Sequence, residues 1–231
     1  MNLHFITSVS KDYWYATGTH CISTWNLPGK VTVFVDQQDG DLDWLKDIPF
    51  HKELLDVPPL AYGEDDRAKV RKFWGKASAQ LVAARNRGVD ERIIWLDADV
   101  EQIAPVADSD FNFSFEEPLA VMNSQDREDR WESGLVIFNQ QNGKLNQTMK
   151  KYQRAWHDED IMSSLWKPYD AQVLGHIAEE RGYKNLCNQA CANVDALKNT
   201  RYSHQFKHWI NKTNKQLLSA NKTNDNSSDL S

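Results

Sequence analysis

Cysteine is scarce in this 231-residue chain: Cys21, Cys187 and Cys191 make an odd three. Thiols spread this way give no disulfide framework, and Cys187-x-x-x-Cys191 lacks the second ligand pair that a structural zinc site requires. Such usage fits a reducing compartment. Long apolar runs are missing as well, and none approaches the ~18 residues of a membrane-spanning helix. The opening Met1-Asn2-Leu3-His4-Phe5-Ile6-Thr7 has neither a basic leader nor an extended apolar stretch, so no secretory signal is expected. The expected location is cytoplasmic, and the sequons Asn146-Gln147-Thr148 and Asn221-Lys222-Thr223 are expected to stay unglycosylated. Positive charge is in deficit too, with 27 Lys and Arg against 33 Asp and Glu, a formal charge of −6. That balance excludes a nucleic-acid binder that neutralises phosphates broadly, and it leaves room for a local basic cluster around one small anionic ligand.

What is present is ordinary globular material: 40% hydrophobic and 26% charged residues, in a chain long enough for a large core. Most of the nine tryptophans are expected in that core; stacking on carbohydrate is the other use of so large a ring. Leu3 to Thr7 reads as a first strand, followed by a helix over Tyr13 to Trp25 capped by Ser10 or Asp12 and broken at Pro28-Gly29. Val31 to Val35 is a β-branched strand ending at Asp36, with a turn at Gln37-Gln38-Asp39-Gly40 and a weaker strand near Leu54 to Val57. From Asp65 to Arg87 the residues Val70, Phe73, Trp74, Ala77 and Leu81 fall on one helical face, and Gly88 ends it. Leu119 to Asn123 and Leu135 to Asn139 read as further strands, with helices over 142–160 and 170–181. This alternation predicts an α/β fold with a sheet of mixed direction. From about Asn211 to Ser231 the chain is polar and low in complexity, and this tail is expected to be disordered.

The segment with the most chemistry is Arg92-Ile93-Ile94-Trp95-Leu96-Asp97-Ala98-Asp99-Val100. A short apolar run ending in two carboxylates reads as a buried strand that delivers them to the end of the sheet, where ligand sites of such sheets lie. On an extended strand, positions i and i+2 share a face. Two carboxylates that close repel each other unless a cation intervenes, and hard oxygen donors suit Mg²⁺ or Mn²⁺ completed by substrate phosphates.

Trp95-Leu96-Asp97-Ala98-Asp99, with Glu132-Ser133-Gly134-Leu135-Val136-Ile137-Phe138-Asn139 some 35 residues on, resembles the GT-A fold glycosyltransferases over roughly residues 2–210. The resemblance implies a single Rossmann-like domain of 1–210, a mixed sheet flanked by helices. It also implies a metal-dependent hexosyl-type transferase moving a sugar from a nucleotide diphosphate, a UDP-sugar, to a saccharide or other hydroxyl acceptor. In that family the first motif is the DXD motif, which holds a divalent metal on the donor's diphosphate, and the second lines the sugar and acceptor side. Carried over residue by residue, the resemblance puts Asp97, Ala98 and Asp99 at the metal and diphosphate, Thr7 and Ser8 near ribose or uracil, and Asp36 near the base. It puts Lys76, from the stripe Lys69, Lys72 and Lys76, on the donor. His204 would complete the metal shell with His208 as its substitute, and Lys207 would meet the β-phosphate. The family's following Gly-x-x-Lys-Pro-Trp is absent here.

Tyr169-Asp170-Ala171-Gln172 resembles the family's late acidic element, with one extra residue between Asp and Gln. Asp170 is a candidate to orient or deprotonate the acceptor hydroxyl, or else a helix cap; Glu132 is the rival carboxylate. Stereochemistry stays open: a carboxylate beneath the anomeric carbon, opposite the leaving group, implies inversion. Two other readings compete. Apolar-Asp-x-Asp-Val also opens haloacid-dehalogenase-type phosphatases, with Asp97 as nucleophile on the first strand of the domain. A non-catalytic sugar-binding module with a structural cation is the third.

Overall fold

The computed structural model describes residues 1–37, 42–60, 67–85, 91–124, 131–140, 143–165, 169–187 and 196–209; within 67–71 it describes the backbone alone. The predicted turn over 37–40 thus keeps only its first residue, and Gly88, Cys191 and the polar tail lie outside the described residues. A central sheet of seven strands runs in the order β3-β2-β1-β4-β7-β6-β8. Its strands are β1 (Asn2–Ser8), β2 (Lys30–Asp36), β3 (His51–Leu55), β4 (Glu91–Leu96), β6 (Leu119–Asn123), β7 (Trp131–Asn139) and β8 (Lys184–Asn185). β5 (Val100–Gln102) and β9 (Phe206–His208) form a separate antiparallel ribbon that pairs Val100 with His208.

β1 to β4 are parallel to one another, and β7 alone runs against the rest, pairing antiparallel with β4 and β6. The carboxyl ends of β1, β2, β3, β4 and β6 therefore open along one edge, and the amino end of β7 reaches the same edge. Each long strand is buried through its middle, which explains its run of consecutive apolar residues. One core layer packs α3 (Arg67–Arg85), α5 (Lys144–Ala155), α6 (Glu159–Ser164) and α7 (Asp170–Arg181) on one side of the sheet, around Trp74, Trp156 and Tyr152. The opposite layer gathers Phe5, Trp14, Trp25, Phe111 and Tyr202 beneath the amino-terminal helical segment, the short α4 (Asp108–Phe111) and the ribbon.

The helical segment after β1 is compound: α1 (Lys11–Tyr13), a widened π turn over Trp14–Gly18, then α2 (Thr19–Ser23). Ser10 caps it, accepting a hydrogen bond from the backbone N–H of Tyr13. Of the face expected on α3, Trp74, Ala77 and Leu81 are buried and Phe73 half-buried. The helix expected over 142–160 is two helices, because Asp158 caps a fresh one by accepting from the N–H of Ile161. Two glycines are forced. Gly29 sits at φ +132°, where a Cβ would lie 2.4 Å from the carbonyl oxygen of Leu3. A Cβ on Gly175 would lie 2.3 Å from the Trp131 ring, so glycine lets α7 press onto β7. Among the described residues no helix is long and apolar enough to cross a membrane.

Candidate active site

β4 stops at Leu96, one residue short of Asp97, so the two carboxylates do not share a face by strand pleating as the extended reading expected. Instead Asp97 is tied back to the sheet through its N–H to the carbonyl of Gly134 (2.9 Å), and its own carbonyl accepts from Val100 N–H (2.9 Å), closing a tight turn over Ala98 and Asp99. That turn aims both carboxylates off the edge of the sheet. His208 joins them: one ligand atom each from Asp97, Asp99 and His208 lie within 4.8 Å of one another. The β5–β9 register explains why the histidine is His208. Opposite Val100, it sits beside the turn with its Nε2 3.1 Å from Asp99 Oδ1. His204, the first choice from sequence, is exposed in the turn that precedes β9 and stands outside this group.

Each carboxylate has its own support. Asp97 Oδ1 accepts from Trp95 Nε1 at 2.7 Å and meets Lys76 Nζ at 2.5 Å. Lys76 also reaches Asp170 Oδ2 at 2.9 Å and donates to Ser133 Oγ at 2.9 Å, while Ser133 Oγ donates to Asp170 at 2.6 Å. Asp99 Oδ2 accepts from the Tyr13 hydroxyl at 2.6 Å. Asp97 and Asp170 thus share the half-buried Lys76 ammonium, and Asp99 meets the His208 imidazole. Burial raises the Asp97 carboxyl above its ordinary range against the pull of Lys76, and the crowding of Asp99 and Asp170 adds to the rise. His208 is lifted as well: its bond to Asp99 and the charges of Asp99, Asp97 and Glu132 outweigh burial, which acts the other way. Glu132, half-buried at the start of β7, is pushed up to about 7, chiefly by burial.

The residues present fit a divalent cation. Two carboxylate oxygens and one imidazole form a donor set for Mn²⁺ or Mg²⁺, in a group whose negative charge exceeds what Lys76 neutralises. A cleft of about 510 Å³ runs from this group along the strand ends. Ser8, Ser10 and Tyr13 line it on the β1 side, Asp36 and Leu55 at the ends of β2 and β3, and Lys72, Phe73 and Lys76 from α3.

The structure therefore gathers Ser8, Asp36, Lys76, Asp97, Ala98 and Asp99 around one cleft, with Asp170 behind Lys76. Thr7 does not reach it; it is fully buried within β1. Lys207 is exposed on the outer face of β9, 3.8 Å from Glu101 and over the Trp209 ring at 4.1 Å, so it turns away as His208 turns in. Asp170 is the first residue of α7 rather than its cap, a position held by Tyr169. Tyr13 and Trp95 escaped the sequence reading because nothing local marks a hydrogen-bond partner 86 residues away, or an indole turned onto the carboxylate two residues on.

No protein-family model and no curated protein matches this chain. Solved structures do match. The galactosyltransferase LgtC, in complex with donor and acceptor sugar analogues, superposes with a TM-score of 0.58 at 10% identity, covering 94% of this chain and 95% of that one. A glycosyltransferase involved in glycosylation of the major capsid of PBCV-1 gives 0.54 at 12% identity, covering 95% and 100%. The apo form of the glycosyltransferase GlyE from Streptococcus pneumoniae TIGR4 gives 0.54 at 15% identity, covering 80% of this chain and 45% of that one. The chain thus spans about half of GlyE and nearly the whole of LgtC. Its fold is that of the GT-A glycosyltransferases, an α/β single domain with a mixed seven-stranded sheet.

Proposed function

We propose that this chain is a metal-dependent glycosyltransferase that moves a sugar from a nucleotide diphosphate, a UDP-sugar, to a hydroxyl of a saccharide acceptor. The observation that carries this reading is the convergence of Asp97, Asp99 and His208 at the mouth of a cleft built on the strand ends. When bound, the cation supplies charge stabilisation to the departing diphosphate. Asp97, Asp99 and His208 hold it. Ser8 and Asp36, at the far end of the cleft, receive the nucleoside, and Tyr13 and Lys72 form the wall between. Lys76 is engaged by Asp97, Asp170 and Ser133, so its role is to set those groups around the reacting sugar.

For proton transfer we favour Glu132 over Asp170. Asp170 Oδ2 is engaged by both Lys76 and Ser133, whereas burial pushes the Glu132 carboxyl up to about 7, where a general base is most effective. The phosphatase reading requires Asp97 as a nucleophile on the domain's first strand. Here it follows the fourth strand, and Lys76 and Trp95 engage its oxygen.

The test is calorimetric titration of UDP, with GDP as control, into the protein with Mn²⁺ or with EDTA, repeated on Asp99→Asn. UDP binding that requires Mn²⁺ and is lost in the variant is the expected result. Absence of nucleotide binding under every condition overturns the transferase reading and leaves the sugar-binding module.

A further inference from the structure

Tyr13 stands between two parts of the site that are otherwise built separately. Its ring lines the cleft beside Ser8, Ser10 and Lys72, with the Lys72 ammonium 4.8 Å above the ring centroid. Its hydroxyl donates to Asp99 Oδ2 at 2.6 Å, while the other oxygen of the same carboxylate meets His208 Nε2 at 3.1 Å. The phenol therefore fixes the rotation of Asp99 and determines which oxygen is offered to the side shared with Asp97 and His208. Tyr13 is itself held. It lies in the first turn after the Ser10 cap, and the π turn beginning at Trp14 buries that next ring to 2% exposure. A Cβ on Gly18 would stand 3.0 Å from Trp14 Cε3, so the turn closes tightly on this anchor. Widened turns of this kind are frequent at functional sites.

We propose that Tyr13 is a positioning residue that couples occupancy of the cleft to cation binding at Asp99; the proposal rests on the metal-site reading above. A ligand packed on the Tyr13 ring immobilises the phenol, and the phenol immobilises the carboxylate, so the cation then has less ordering to impose. By linkage, the cation strengthens the cleft ligand by the same factor. Hydrogen bonds to a ligating carboxylate commonly change metal affinity about 10- to 100-fold.

The experiment measures Mn²⁺ affinity with and without UDP, and UDP affinity with and without Mn²⁺, in the wild type, Tyr13→Phe and Tyr15→Phe. Phenylalanine keeps the ring that walls the cleft and removes only the hydroxyl; Tyr15 is 43% exposed and serves as control. In Tyr13→Phe, Mn²⁺ affinity without nucleotide is expected to fall about tenfold. The factor by which UDP and Mn²⁺ strengthen each other should fall at least twofold, the remainder reporting direct cation–diphosphate contact. Tyr15→Phe should keep wild-type values. Wild-type Mn²⁺ affinity and an unchanged mutual factor in Tyr13→Phe overturn the proposal. Failure of UDP to bind even the wild type with Mn²⁺ present refutes the transferase reading and, with it, the coupling. Asp99 positioning is then judged on Mn²⁺ alone: a loss in Tyr13→Phe retains that part, and no loss overturns it.

Discussion

Replacing Gly134 by alanine tests the candidate metal group through a residue that is not one of its proposed ligands. A Cβ built on Gly134 would lie 3.0 Å from His208 Cε1 and 3.3 Å from Nδ1, closer than carbon atoms normally pack. The backbone there lies outside the positive-φ region, so alanine adds no backbone strain, and the only demand is that the imidazole give way by a few tenths of an ångström. The ring has little room to do so. Its Nε2 is 3.1 Å from Asp99 Oδ1, the neighbouring Trp209 N–H is bonded to the Asp99 carbonyl at 3.0 Å, and β9 is paired to β5. Cation–ligand distances tolerate displacements of only about 0.2 Å. A shift of that size or more should weaken Mn²⁺ binding by about 10- to 100-fold, or about 1.4–2.7 kcal/mol. Titration calorimetry on the wild type, Gly134→Ala and His208→Ala reads this directly, while thermal unfolding in EDTA checks that Tm moves by less than about 4 °C. Wild-type Mn²⁺ affinity in Gly134→Ala, or in His208→Ala, would refute the placement of His208 in the metal group.

Two further perturbations address the charges around that group. The Glu132 carboxyl stands at about 7 in the folded chain against an ordinary 4.5, so the folded state holds a proton that the unfolded state has released. Its contribution to stability is therefore complete below pH 4.5 and lost as pH rises to 7, by up to about 3 kcal/mol. Denaturant midpoints in EDTA at pH 4.5 and pH 7.5 should show the wild type losing more stability than Glu132→Gln, and parallel pH dependence would refute the shift. Lys76→Met leaves Asp97 and Asp170 without their shared cation, a loss expected to destabilise the EDTA-treated protein by about 3–5 kcal/mol. Added Mn²⁺ should restore more stability to this variant than it adds to the wild type, and a variant as stable as the wild type in EDTA would count against the ion-pair reading.

Elements whose signal is local were legible in the sequence. The apolar runs of β1, β2, β4 and β7 and the buried face of α3 follow from residues within one element, and the carboxylates after β4 marked the site edge. What escaped depends on pairing across the chain. Nothing near His204 and His208 distinguishes them; the choice is made by the register that sets His208 against Val100, 108 positions earlier. The bond from Tyr13 to Asp99 spans 86 positions. Lys207 looked like a phosphate ligand beside a histidine, yet strand alternation must turn it outward if its neighbour turns in. The helix expected across 142–160 failed for a different reason. Its apolar spacing through Leu145, Met149, Tyr152 and Trp156 stays helical, and only the capping of Asp158 onto Ile161 divides it.

The two carboxylates are held by separate parts of the fold, and this bears on how the site works. Asp97 belongs to the sheet: its N–H is bonded to β7, and its side chain to Trp95 of β4 and Lys76 of α3. Asp99 belongs to the flank: its contacts are Tyr13 of the amino-terminal segment and His208 and Trp209 at the end of β9. A cation between them therefore joins the sheet to two segments from opposite ends of the described chain. Each half is already satisfied by its own hydrogen bonds, so the fold does not depend on the cation to place either carboxylate. What a bound cation would add is compensation of the negative charge that Lys76 leaves over. On the transferase proposal, this arrangement suits a divalent ion and an anionic diphosphate arriving together, since the ion's two charges answer both.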